Sequence, residues 1–146
     1  MEKIRVIFIC TRNSARSQIA EAFLRKYAGD HFDVYSAGFE PQPIHPYVIK
    51  VMEELGYDLS DQYSKNLYQY LGKVHFGIVI TVCAKAEEKC PISLGAGTRL
   101  YWPFEDPVEY QGSDEEKIAK FREVRDQINM RIKAWLKERK IPIEGN

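Results

Sequence analysis

The sequence predicts an α/β fold built on a mostly parallel sheet with helices on both faces. Three observations lead there. Strand-like apolar runs alternate with stretches of helical spacing along the chain. The first run, Ile4-Arg5-Val6-Ile7-Phe8-Ile9, is close to continuous, as in a strand buried on both faces. The strongest turn residues, Gly38, Pro41, Pro43 and Gly56, fall between the runs.

The elements follow in order. After the first strand, Ile19, Ala20, Ala22, Phe23 and Leu24 give a helix to about Tyr27, with Ser14 or Ser17 available as its cap. Phe32 to Gly38 alternates as a second strand. His45 to Leu55 has helical spacing through Val48, Ile49, Val51 and Met52, and stops at Gly56. Ser64 to Leu71 reads as a shorter helix. Phe76 to Val82 is the most strand-like run of the chain, and Thr98 to Trp102 is a weaker fourth strand. From Asp114 to Lys140 the positions Ile118, Phe121, Val124, Ile128, Ile132, Trp135 and Leu136 mark one long amphipathic helix.

The loop after the first strand carries the chemistry. Cys10-Thr11-Arg12-Asn13-Ser14-Ala15-Arg16-Ser17 sits at a helix N-terminus, where free amides and the helix dipole favour an anion. Asn13 tolerates the left-handed conformation that a loop curling its amides around one centre requires. Arg16 closes the cup with a planar fork suited to a tetrahedral oxyanion. Thiols beside helix N-termini and cations ionise at roughly 3.5 to 7.5 rather than about 8.5, so Cys10 is expected to be a thiolate at neutral pH, with Ser17 donating to it. In the plainer alternative Cys10 is a small core residue and Arg16 a surface charge.

Cys83 ends the third predicted strand as Cys10 ends the first, which places both on the edge where parallel sheets bind ligands. Between Cys83 and Cys90 lie good helix formers. Positions seven apart in a helix are separated by about 10.5 Å of rise, whereas a disulfide holds its Cα atoms within about 4.4 to 6.8 Å. A helix here would have to unwind for the pair to oxidise, which suggests a redox switch; taken without Cys10, the two thiols also read as unrelated structural residues. Asp106-Pro107 follows the fourth strand across Trp102-Pro103-Phe104-Glu105. Its carboxylate is either an acid over the same mouth or the opener of a turn.

A chain of 146 residues, 45% hydrophobic, suits one domain over residues 1–146. Basic and acidic residues balance at 21 each, which argues against nucleic acid and anionic membranes as partners. No run approaches a bilayer span and Met1-Glu2-Lys3 leads directly into a strand, so a cytoplasmic protein is expected. Three cysteines fit poorly with a disulfide framework, and no P-loop or repeat is present. His31, His45 and His75 stand in unlike contexts and read as surface or capping residues, so no metal is expected.

With Cys-x5-Arg-Ser at Cys10 to Ser17 and Asp106-Pro107 downstream, the chain resembles the low-molecular-weight protein tyrosine phosphatase fold family. Thr81-Val82-Cys83 and Cys90-Pro91 are similar to its branch of thioredoxin-coupled arsenate reductases. Ser36-Ala37-Gly38, His45-Pro46, Trp102 to Pro107 and Phe121 to Asp126 extend the likeness over nearly the whole chain.

The resemblance implies a three-layer fold around a four-stranded parallel sheet. It implies Cys10, Cys83, Cys90, Arg16 and Asp106 as catalytic residues and Thr11, Arg12, Asn13, Ser14, Ala15, Arg16 and Ser17 as the oxyanion-binding loop. Cys10 would attack arsenate, Cys83 would displace arsenite as a Cys10–Cys83 disulfide forms, and Cys90 would leave a Cys83–Cys90 disulfide for thioredoxin. No bound cofactor is implied; phosphate and sulfate would compete as oxyanions, and a monomer is expected. Arg12 stands where relatives often have Gly. Some relatives hold potassium through residues matching Asn13, Glu21 and Ser36 with an acid; Asn66 lies near that last position here. The alternative function is a tyrosine phosphatase working through phosphocysteine, which has no need of Cys83 and Cys90.

Overall fold

The computed structural model describes residues 3–90 and 97–143. Strands β1 (Ile4–Cys10), β2 (Phe32–Gly38), β3 (Ile78–Thr81) and β4 (Thr98–Tyr101) form one sheet in the order β2-β1-β3-β4. Every pairing is parallel. Helices α1 (Arg16–Ala28), α2 (Pro46–Glu53), α3 (Ala84–Lys89) and α4 (Asp114–Glu138) connect and follow the strands. Pro91, in the Cys90-Pro91 pattern, and the leading Met1-Glu2 lie outside the described residues.

β1 is central, and the continuous apolar run explains why. Val6, Ile7, Phe8 and Ile9 are each fully buried although successive side chains point to opposite faces, so both faces of the strand are covered. On one face Phe8 meets Trp102, which packs edge-on against Trp135 of α4, and Trp135 stacks on Phe32. On the other face Tyr35 packs against Phe76 and Tyr70. The amphipathic stripe of α4 buries Phe121, Val124, Ile128, Ile132, Trp135 and Leu136. Ser113 and Glu116 form a reciprocal capping box at its start.

Two expected elements differ. The stretch from Ser64 to Leu71 is a single 3-10 turn, Leu67–Gln69, capped by Asn66. The residues before it are drawn out as a partial strand: Asn66 bridges Gly38, and the Lys65 carbonyl accepts from Gly38 N–H at 2.9 Å. Pairing with the end of β2 competes with helix formation there and wins. Neither Ser14 nor Ser17 caps α1, whose N-cap is Ala15 without a side-chain hydrogen bond. That end of the helix opens instead onto the site.

The register fixes the site's location. Cys10 pairs with Gly38, Ile9 with Thr81, and Thr81 with Tyr101, so the carboxyl ends of all four strands finish at one edge. The loop after β1 starts there, as do the Cys83 turn and the segment to Asp106.

Candidate active site

The loop from Cys10 to Arg16 is turned inside out relative to an ordinary turn. From outside the cup the Thr11 carbonyl accepts from Glu40 N–H, that of Arg12 from Gln42 N–H, and that of Ser14 from His45 N–H, at 2.9 to 3.0 Å. The Asn13 carbonyl accepts from Gln18 Nε2 at 3.0 Å and the Ala15 carbonyl from Ile19 N–H at 3.0 Å. Because N–H and C=O of a trans peptide point in opposite directions, anchoring these carbonyls outward directs the amides of Arg12 to Arg16 inward. The Asn13 amide obeys this and donates to Cys10 Sγ at 3.1 Å. Asn13 has φ of 52°, the left-handed conformation expected of it. Arg12 is outside that region, so the departure from Gly needs no strained backbone; its guanidinium is drawn to the rim by Glu109 at 3.1 Å.

Gly38 has a role beyond ending β2. A Cβ there would lie 2.6 Å from the Thr11 carbonyl oxygen and 2.9 Å from the Asn13 nitrogen, so only glycine lets the loop cross the strand end.

A cavity of about 330 Å³ opens above the loop, lined by Cys10, Thr11, Arg12, Ser14, Ala15 and Arg16, by Cys83, Ala84 and Lys85, and by Asp106, Val108 and Glu109. Cys10 is buried at its floor. Cys83 Sγ lies 3.6 Å from Thr11 Oγ1 and caps α3, accepting from the Ala86 amide. Arg16 donates to the Phe104 carbonyl at 3.0 Å and lies 3.4 Å from Asp106 Oδ2. The other Asp106 oxygen accepts from Val108 N–H, which holds the carboxylate at the mouth. The Asp-Pro pair therefore opens a turn and faces the cavity at once. All three cysteines are free.

Of the residues expected in the site, Asn13 and Ser17 lie behind the loop, not in the cavity. Both are fully buried, and Ser17 Oγ is 2.8 Å from Cys10 Sγ. Cys90 stands at the far end of α3, half-buried. The expectation of a low-pKa Cys10 meets an opposing effect. Burial pushes the thiol above its ordinary value, against the opposing pull of the Ser17 hydrogen bond and the Arg16 charge; the neighbouring Cys83 adds a small upward push. Burial likewise raises the Cys90 thiol, with Arg99 opposing. His45 caps α2, its Nδ1 accepting from Tyr47 N–H. Burial lowers its pKa and Asp106 partly offsets this.

Sequence reasoning named Asn13, Glu21 and Ser36 only through the likeness to a potassium site, and missed the cations that meet Glu21 behind the loop. Glu21 is buried in α1 and pairs with Lys65 Nζ at 3.2 Å and Arg25 at 2.6 Å. It also accepts from Ser36 Oγ. Burial lowers the Lys65 ammonium pKa and Glu21 opposes that shift. The available signal was a glutamate one helical turn from Ser17 and Leu24, on the buried stripe of α1. Among the described residues no group of three or more His, Cys, Asp and Glu side chains converges on a metal position, and no helix is long and apolar enough to cross a membrane.

A cysteine-bearing oxyanion cup at the carboxyl edge of a four-stranded parallel sheet defines the class: an α/β protein with a phosphatase-type anion loop. The chain belongs to the low molecular weight phosphotyrosine protein phosphatase family, whose model matches residues 5–142. It is 44% identical over 135 residues to an arsenate reductase of Halalkalibacterium halodurans, covering 92% of this chain and 96% of that protein. A solved arsenate reductase in its phosphate-binding state superimposes with a TM-score of 0.77 at 31% identity, covering 92% and 98% of the two chains. A thioredoxin-dependent arsenate reductase of Corynebacterium glutamicum matches with a TM-score of 0.61 at 32% identity, over 90% of this chain and 61% of that one.

Proposed function

We propose that the protein, working as one domain, reduces arsenate to arsenite by a relay of Cys10, Cys83 and Cys90 recharged by thioredoxin. The observation that carries this reading is the shared cavity: Cys10 and Cys83 line it with Arg16 and Asp106, and α3 runs from Cys83 to Cys90. The relatives' names support the same activity.

The amides of Arg12 to Arg16 and the Arg16 fork hold the oxyanion and offset its charge. The Cys10 sulfur attacks arsenic(V), an As–S bond forms, and one oxygen leaves as water, with Asp106 placed to supply the proton that the thiol then restores. The Cys83 sulfur attacks Cys10; the As–S electron pair stays on arsenic, which leaves as arsenite, while the two sulfurs are oxidised to the Cys10–Cys83 disulfide. The Cys90 sulfur then attacks Cys83, returning Cys10 as a thiol. Thioredoxin's dithiol reduces the remaining Cys83–Cys90 disulfide. Phosphate and sulfate fit the same cup and compete.

The test is steady-state turnover with arsenate, thioredoxin, thioredoxin reductase and NADPH, comparing the protein with Cys90→Ser. The proposal expects continuous NADPH oxidation by the first and one equivalent of arsenite without turnover from the second. Equal turnover by both would contradict the relay. Hydrolysis of a phosphotyrosine mimic, which needs neither Cys83 nor Cys90, would then be the activity to pursue.

A further inference from the structure

The relay has to take α3 apart, and little holds that helix in place. Six helical residues are far below the length that is stable alone in water, so contacts with the rest of the fold must keep it wound. Among the described residues, Ala86 is its one buried side chain, and Glu87 is the one side chain from Ala84 to Lys89 that hydrogen-bonds beyond the helix. The Glu87 carboxylate accepts from the hydroxyl of Thr81, the buried last residue of β3. The Leu100 carbonyl lies 3.4 Å from the same hydroxyl, but the carboxylate is the stronger acceptor and takes the proton. Glu87 N–H donates to the Cys83 carbonyl at 3.1 Å, and Ala86 N–H to Cys83 Sγ at 3.4 Å. The carboxylate thus folds the turn that begins at Cys83 back onto the strand end just before it. A Cys83–Cys90 disulfide is out of reach while that turn stands, because a helix separates the two positions by about 10.5 Å of rise. Glu87 lies inside the stretch that must unwind, so its bond to Thr81 and the disulfide compete.

We infer that Glu87 is a positioning residue that latches the relay: by accepting from Thr81 it pins α3 to β3 in the dithiol state, keeps Cys83 and Cys90 apart between turnovers, and makes their disulfide easier to reduce. Stabilising the dithiol form of a pair raises its reduction potential. The latch therefore favours the return of electrons from thioredoxin's dithiol. The inference rests on the proposed relay, in which Cys83–Cys90 is the disulfide to be recharged, but its test needs neither arsenate nor thioredoxin.

The measurement is the equilibrium between the dithiol and the Cys83–Cys90 disulfide in the full chain carrying Cys10→Ser, which leaves these two thiols alone. The protein is equilibrated with mixtures of glutathione and glutathione disulfide, quenched in acid, and the disulfide is read by mass spectrometry. Cys83 and Cys90 together give up two electrons and two protons, and each glutathione disulfide becomes two glutathione thiols. Glu87→Ala is expected to shift the equilibrium toward the disulfide about tenfold, the scale of one hydrogen bond to a charged group, which is about 30 mV for a two-electron couple. Alanine is the better helix former, so lost propensity does not produce that shift. Glu87 also pushes the Cys90 thiol up through its charge, and two variants separate charge from hydrogen bond. Thr81→Val removes the hydroxyl and keeps the charge; it is expected to shift the equilibrium the same way, with no further shift when Glu87→Ala is added. Glu87→Gln removes the charge and keeps an acceptor for Thr81; it is expected to lie nearer the wild-type residue than Glu87→Ala does, and it carries the test if Thr81→Val does not fold. An unchanged equilibrium in Glu87→Ala, a Glu87→Gln equal to Glu87→Ala, or additive effects of Thr81→Val and Glu87→Ala overturns the inference. A protein that forms no Cys83–Cys90 disulfide in any of these mixtures would overturn the relay along with it. The expected shifts without arsenate turnover would count against the proposed reaction and leave the latch standing.

Discussion

Cys83 and Cys90 cap the two ends of one short helix: Cys83 is the N-cap of α3 and Cys90 its C-cap, with six helical residues between them. A helix places positions seven apart about 10.5 Å along its axis, beyond the reach of a disulfide whose Cα atoms sit about 4.4 to 6.8 Å apart. Closing this bond therefore requires α3 to unwind. Hydrogen exchange across residues 83–90 is expected to be slow with thiols reduced and fast after oxidation; identical protection in the two states would exclude the unwinding.

The Cys10 thiol carries a pH prediction with a definite sign. Burial raises its pKa, so in the oxyanion-free protein alkylation of Cys10 is expected to climb with pH through a midpoint above the ordinary thiol value. Ser17→Ala removes a donor to the thiolate and moves that midpoint higher still. A midpoint below 7 in the oxyanion-free protein would show that the loop amides and Arg16 outweigh burial.

Gly38→Ala tests the packing of the loop on β2. With Thr11 O at 2.6 Å and Asn13 N at 2.9 Å from the added carbon, backbone has to move. The expected cost is about 1 to 3 kcal/mol in unfolding free energy, the range for overpacking, together with weakened phosphate protection of Cys10 against alkylation. Wild-type stability and protection would mean the loop shifts freely.

The clamp between α2 and α4 predicts an acid response. Hydrogen bonds from Arg122, and then from Arg125, lower Glu54 from 4.5 to about 2. A carboxylate depressed on folding stabilises above its unfolded value and loses that contribution as pH falls toward 2. The urea midpoint of the protein is expected to fall between pH 5 and pH 2.5 by more than that of Glu54→Gln; parallel decreases would remove Glu54 from the acid response.

The cup was legible because its parts are local. A continuous apolar strand, a cysteine, an Asn able to take positive φ and an arginine six positions on are enough to place an anion site. The four strands and the helices α1, α2 and α4 followed from periodicity for the same reason, their ends shifted by a residue or two. What stayed hidden was settled by distant partners. Ser64 to Leu71 has helical composition, but Lys65 and Asn66 pair with Gly38. Glu21 is noticed in the sequence only through the resemblance, and nothing local shows that Lys65, 44 positions away, is brought onto it. For the Cys10 pKa, a helix N-terminus and an arginine can be seen in a sequence, whereas the opposing burial of the sulfur cannot.

Disulfide mapping by mass spectrometry, after fully reduced protein is mixed with one equivalent of arsenate and separately with phosphate, tests the three-thiol relay most directly. The relay predicts a Cys83–Cys90 bridge, free Cys10 and one equivalent of arsenite with arsenate, and no bridge with phosphate. Three free thiols and unreduced arsenate would contradict it.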